Sequence, residues 1–167
     1  MLSFKYNRRI KYSDYQYDYF YQRFIYNKNF IKKNKLYFPN YLRYEDPPFF
    51  IKAMSIAKNF YALKNITYYY RIKKKPLIMT EKKIIDIFRG IKDCLDITKS
   101  MNLYKLYYII LLRLNSKIIL NNVKIFIKNK DLKKLISNIL NNINLDILQK
   151  GNFTFKINDL YNKIILK

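Results

Sequence analysis

The 167-residue chain predicts an α+β fold, mostly helical with a few short strands, and three observations predict it. Behind Glu45, Asp46, Pro47 and Pro48, the residues Phe49, Phe50, Ala53, Met54 and Ala57 recur on one helical face. Behind Thr80 and Glu81, Ile84, Phe88, Ile91 and Leu95 do the same. Between these helices the period changes. Phe60–Leu63 and Ile66–Ile72 are aromatic and β-branched, which suits two short strands.

Taken in order, Tyr15, Tyr17, Tyr19 and Tyr21 alternate with period 2 and predict a half-buried strand. Asn27 is placed to cap a short helix that turns Phe30 and Ile31 inward. Pro39 and Asn40 mark a turn. The pair Glu45-Asp46 before two prolines is the strongest helix start, with Asp46 as the expected N-cap. Lys73–Met79, with Pro76, reads as a loop. The helix from Thr80 contains one mild weakness, Gly90. A break at Ser100–Asn102 precedes a helix from Leu103 to about Asn115. Val123, Ile125 and Ile127 alternate as a short strand would, and Asp131–Leu148 has helical spacing. Gly151–Ile157 alternates again, and a last helical turn follows Asn158.

Composition removes several chemistries. The chain has no histidine and one cysteine, Cys94. Cys/His zinc sites, histidine-dependent nucleophile systems and an internal disulfide are therefore excluded. A general base has to be a carboxylate or, less favourably, a Tyr, a Lys or Cys94. The net charge is +23, which favours anionic partners, including phosphates and anionic lipid head groups. Lys outnumbers Arg 27 to 7, and Asn, Ile and Tyr are abundant. All of these are A/T-rich codons, so genome composition accounts for much of the charge. Lys73-Lys74-Lys75 is the one basic block. The longest apolar run, Leu106–Leu112, is far shorter than the roughly 20 residues a spanning helix needs. Residues Met1–Lys11 are basic without a following apolar stretch, so no signal peptide is expected. The expected location is the cytoplasm, or the inner face of a membrane.

Acidic residues number only 11, and Glu45-Asp46 is the one adjacent pair. Two readings of Asp46 fit its place. As an N-cap it is worth about 1 kcal/mol and needs no other role. As a carboxylate fixed at a helix start, it can take a proton from a sugar hydroxyl within hydrogen-bond reach.

The stretch from Arg23 to about Thr98 resembles the second half of a family 2 glycosyltransferase of the GT-A type. The pieces that carry the likeness occur in family order: Phe24–Pro39, Glu45-Asp46, Phe49–Ala57, Phe60–Leu63, then Tyr68, Tyr69, Tyr70 and Arg71. The resemblance implies transfer of a sugar from a nucleotide-sugar donor to an acceptor hydroxyl of a glycan or cell-surface polysaccharide, with inversion. It makes Asp46 the catalytic base and Glu45 its neighbour near the acceptor. Arg71 and Tyr70 are implied to face the donor or acceptor. It also implies a divalent metal, Mg or Mn, but the family's nucleotide-binding strands and Asp-x-Asp motif have no counterpart here. Pro76 stands where the family has a small polar residue, and two prolines directly after the base are unusual. The expectation is therefore a C-terminal portion: 1–120 as part of the transferase domain and 121–167 as a helical extension. Such a portion is expected to be inactive alone and to need a partner chain for the missing half. The alternative from another class is a basic RNA- or ribosome-associated protein of an A/T-rich genome.

Overall fold

The computed structural model describes residues 4–65, 69, 71 and 78–161. Its centre is the helix α4, for which we number the elements β1 (Arg8–Lys11), α1 (Tyr12–Tyr15), α2 (Lys28–Lys33), α3 (Asp46–Ala57), β2 (Asn59–Ala62), α4 (Glu81–Ser100), α5 (Tyr104–Leu114), α6 (Lys117–Phe126), α7 (Lys130–Asn141) and α8 (Leu145–Lys150). A 3-10 turn spans Tyr21–Arg23. Among the described residues the fold is thus mainly helical with a two-stranded antiparallel sheet, in keeping with the expected α+β class.

The Thr80 side chain caps α4 by accepting the Lys83 N–H. The predicted stripe Ile84, Phe88, Ile91 and Leu95 is buried, together with Ile87, Cys94 and Thr98. Each fully buried residue of this kind contributes about 1.5–3 kcal/mol. α4 packs against α3, α5, α6 and α7. One buried cluster runs from Tyr12 to Tyr161, and the 120/121 division falls inside α6.

The N-terminal part is an aromatic layer on α3. Phe24 lies 4.9 Å from Phe50 and 5.1 Å from Phe60 by ring centroids, and Phe38 stacks on Phe49 at 4.0 Å. Asn27 caps α2 through its side chain, as expected. β2 falls where Phe60–Leu63 was read as a strand. The strand expected at Ile66–Ile72 lies largely outside the described residues, as does most of the Lys73–Met79 loop.

Four expectations are corrected. The Tyr15–Tyr21 strand is absent: β1 lies earlier and is followed by α1, and Gln16 (φ 46) and Phe20 (φ 72) are left-handed. The tyrosines pack as rings instead, Tyr15 at 5.1 Å from Phe60. Val123–Ile127 is no strand: Ser116 caps α6, and Ile119 and Val123, four residues apart, face inward while Ile125 is exposed. Asp131–Leu148 divides into α7 and α8, because Asn144 caps a new start by accepting the Ile147 N–H. Gly151–Ile157 does alternate in burial, but no strand among the described residues pairs with it. Its alternate side chains dock instead, Phe153 stacking on Tyr108 at 4.5 Å.

Candidate active site

The loop Tyr41–Tyr44 delivers the chain to Glu45-Asp46, and α4 and α5 fix it at successive points. The buried Asp86 carboxylate accepts the Leu42 N–H at 3.0 Å and is paired with Arg89. The Tyr41 hydroxyl donates to Asp93 Oδ2 at 2.7 Å. Between these acids, on the same face of α4, Gly90 lets Tyr44 lie directly against the helix. The Tyr44 hydroxyl accepts a hydrogen bond from Arg113 on α5. Tyr44 itself has φ 69, a conformation costing a bulky residue about 1–3 kcal/mol. The surrounding contacts hold it there.

Behind Tyr44 sits a buried ion pair. Arg113 binds Asp18 in a two-pronged contact, Nη2 to Oδ1 at 2.6 Å, and its guanidinium lies 4.2 Å from the Tyr19 ring centroid. Their side chains are 16% and 3% exposed. Hydrogen bonding to Asp18 and the nearby Tyr44 and Tyr19 raise the Arg113 proton affinity against the opposing effect of burial. Cys94 is fully buried beside this pair, and burial pushes its thiol well up, so it is no nucleophile.

Asp46 opens α3 but does not cap it, which corrects the N-cap expectation. Glu45 holds the cap position with helical φ and ψ, and its side chain makes no capping bond. For Glu45 the reason is in the sequence. A cap accepts from the second or third helical amide, and after Glu45 those positions are Pro47 and Pro48, which have no N–H. Asp46 is half-buried, and its carboxyl is held above its ordinary value chiefly by burial. Its own backbone N–H opposes that, Glu45 and Asp18 add to it, and Arg43 lowers it.

Arg71 is exposed, and Tyr70 and the Lys73–Lys75 block lie outside the described residues. Two hollows among the described residues are lined by neither Glu45, Asp46 nor Arg71. One, of about 430 Å³, lies beside Pro48, Phe49, Phe38 and Asp93. The other, of about 240 Å³, lies between α4, Tyr107 and α7. No three His, Cys, Asp or Glu side chains converge among the described residues. The acids of α4 are already engaged, Asp96 by Lys92. No described helix is long and apolar enough to cross a membrane.

Sequence reasoning missed Asp86, Gly90, Asp93, Tyr44 and the Asp18–Arg113 pair. One signal was available: four of the 11 acids lie on α4, and Asp86, Gly90 and Asp93 share helical spacing. Comparison with known proteins supplies no relative: no family model, curated protein or solved structure matches this chain.

Proposed function

We propose that this chain is the acceptor-side portion of a family 2 glycosyltransferase of GT-A type, acting with a partner chain that supplies the nucleotide-binding half. One observation carries the reading. Asp46 sits at the first turn of a buried helix without capping it, at the end of a loop clamped to α4 and α5 through a strained Tyr44. Strain and clamping of this kind accumulate where a side chain has to be aimed. Burial raises the proton affinity of Asp46, which suits a general base.

In the proposed step, an acceptor hydroxyl gives its proton to the Asp46 carboxylate as its oxygen bonds to the anomeric carbon of the nucleotide sugar. The bond from that carbon to the diphosphate breaks, and the nucleoside diphosphate leaves with the electron pair, inverting the centre. Glu45 stands beside the acceptor, and Arg71 and Tyr70 contact donor or acceptor. Positioning supplies much of the rate. The products belong to glycan or cell-surface polysaccharide synthesis.

The test is reconstitution. The chain alone is expected to turn over no nucleotide sugar. Mixed with a separately expressed nucleotide-binding half of a family 2 enzyme, it is expected to transfer labelled sugar, and Asp46→Asn to lower turnover by roughly 10²–10⁴-fold without weakening association. An Asp46→Asn mixture as active as the unaltered one sinks the assignment. Asp46-dependent turnover by the chain alone removes the need for a partner.

A further inference from the structure

We propose that the outer face of the β1–β2 ribbon is a docking surface for an anionic lipid bilayer. The register separates its two faces. Ile10 opposite Phe60 and Arg8 opposite Ala62 share the inner side, where Phe60 and Ala62 pack inward. Arg9 opposite Tyr61 and Lys11 opposite Asn59 share the outer side, and Leu63 follows two residues beyond Tyr61. All five outer residues are exposed, Tyr61 at 65% and Leu63 at 49%. The open face of a half-solvated sheet ordinarily carries polar side chains. This one carries an aromatic ring and a leucine among cations.

The Asn7 side chain accepts the Lys64 N–H at 2.8 Å, which extends the ribbon beyond its ladder toward the exposed Tyr6 ring. Across 4–11 and 58–65 the chain has six exposed cations, Lys5, Arg8, Arg9, Lys11, Lys58 and Lys64, and no acid. Codon bias toward A and T supplies lysine, so it does not explain two adjacent arginines where Lys outnumbers Arg 27 to 7 overall.

An apolar, aromatic centre with a cationic rim matches the headgroup region of an anionic membrane. Tyr and Leu enter the interface there while Arg and Lys reach phosphates. Single-stranded RNA would also use the cations and the Tyr61 ring, but it gives Leu63 nothing to bury against. Leu63 on the same face therefore favours lipid. The surface stands on the ribbon alone and does not depend on the sugar-transfer reading.

The test is co-sedimentation of the full chain with vesicles of phosphatidylcholine, with or without phosphatidylglycerol. Binding is expected only to the mixed vesicles and should weaken with salt. R9Q/K11Q is expected to weaken it on the order of thirtyfold, and L63S by about fivefold. K130Q/K134Q, the same charge change at exposed positions of α7, is expected to alter it by less than about twofold. Circular dichroism checks that each variant folds, and L63S with the salt series carries the test if R9Q/K11Q does not. Equal loss in K130Q/K134Q, equal binding to neutral vesicles, or no binding to mixed ones overturns the proposal. So does oligouridine binding that R9Q/K11Q and Y61A abolish while vesicle binding persists.

Discussion

Replacing Gly90 by alanine tests the link between α4 and the loop that carries Asp46. In an isolated helix, alanine is favoured over glycine by about 1 kcal/mol, so the substitution ought to stabilise. The structure reverses that sign. A Cβ at Gly90 would stand 2.7 Å from Tyr44 Cδ1 and 2.7 Å from the Tyr44 carbonyl oxygen. A ring edge can swing aside, but the carbonyl belongs to a backbone at φ 69. That segment is tied down by Asp86 at the Leu42 amide and by Asp93 at the Tyr41 hydroxyl. Overpacking against such a wall costs about 1–3 kcal/mol, with further loss where Tyr44 leaves Arg113. After the gain in helix propensity, Gly90→Ala is expected to destabilise by about 1–2 kcal/mol. The melting temperature should fall by about 2–8 °C. Urea denaturation and a thermal melt measure both. Stabilisation by Gly90→Ala would mean that Tyr44 does not lie against α4, and the account of how Asp46 is presented would go with it.

Asp18→Asn leaves the Arg113 guanidinium buried without its counter-charge and is expected to cost about 3–5 kcal/mol; a urea midpoint change worth less than about 1 kcal/mol would contradict the buried pair. For Asp46 the sign is the reverse. Burial raises its pKa above the unfolded value, so between the two values the folded state holds the extra proton and stability falls as pH rises through that window. Asp46→Asn is therefore expected to raise the melting temperature at neutral pH and to flatten this fall. A lower melting temperature at neutral pH would show a carboxylate stabilised in place, as a cap would be.

Much of the fold could be read from short-range signals. Asn27 caps the helix it was expected to cap, and the helix read as opening at Thr80 is capped by that side chain, because a cap is a contract between residues three apart. Ile84, Phe88, Ile91 and Leu95 are buried as their spacing requires. Period 2 was the weaker guide. It misread Val123–Ile127, whose helical partner positions 119 and 123 satisfy the same residues equally well. It found the alternation of Gly151–Ile157 but could not supply a second strand. β1 escaped because Arg8–Lys11 holds a single apolar residue and becomes a strand only through β2, some fifty residues later.

The sequence alone determined the helix starts at Asn27 and Thr80, the apolar stripe of α4, and the exclusion of histidine and disulfide chemistry. These follow from side-chain chemistry and from neighbours within one turn. Only the tertiary structure decided that Asp86, Gly90 and Asp93 grip the Tyr41–Tyr44 loop, that Asp18 meets Arg113 across 95 positions, and that Asp46 is left half-buried and free of a capping role. The physical reason is range. A buried polar group needs a partner wherever the chain returns to it, and sequence periodicity carries no record of where that will be.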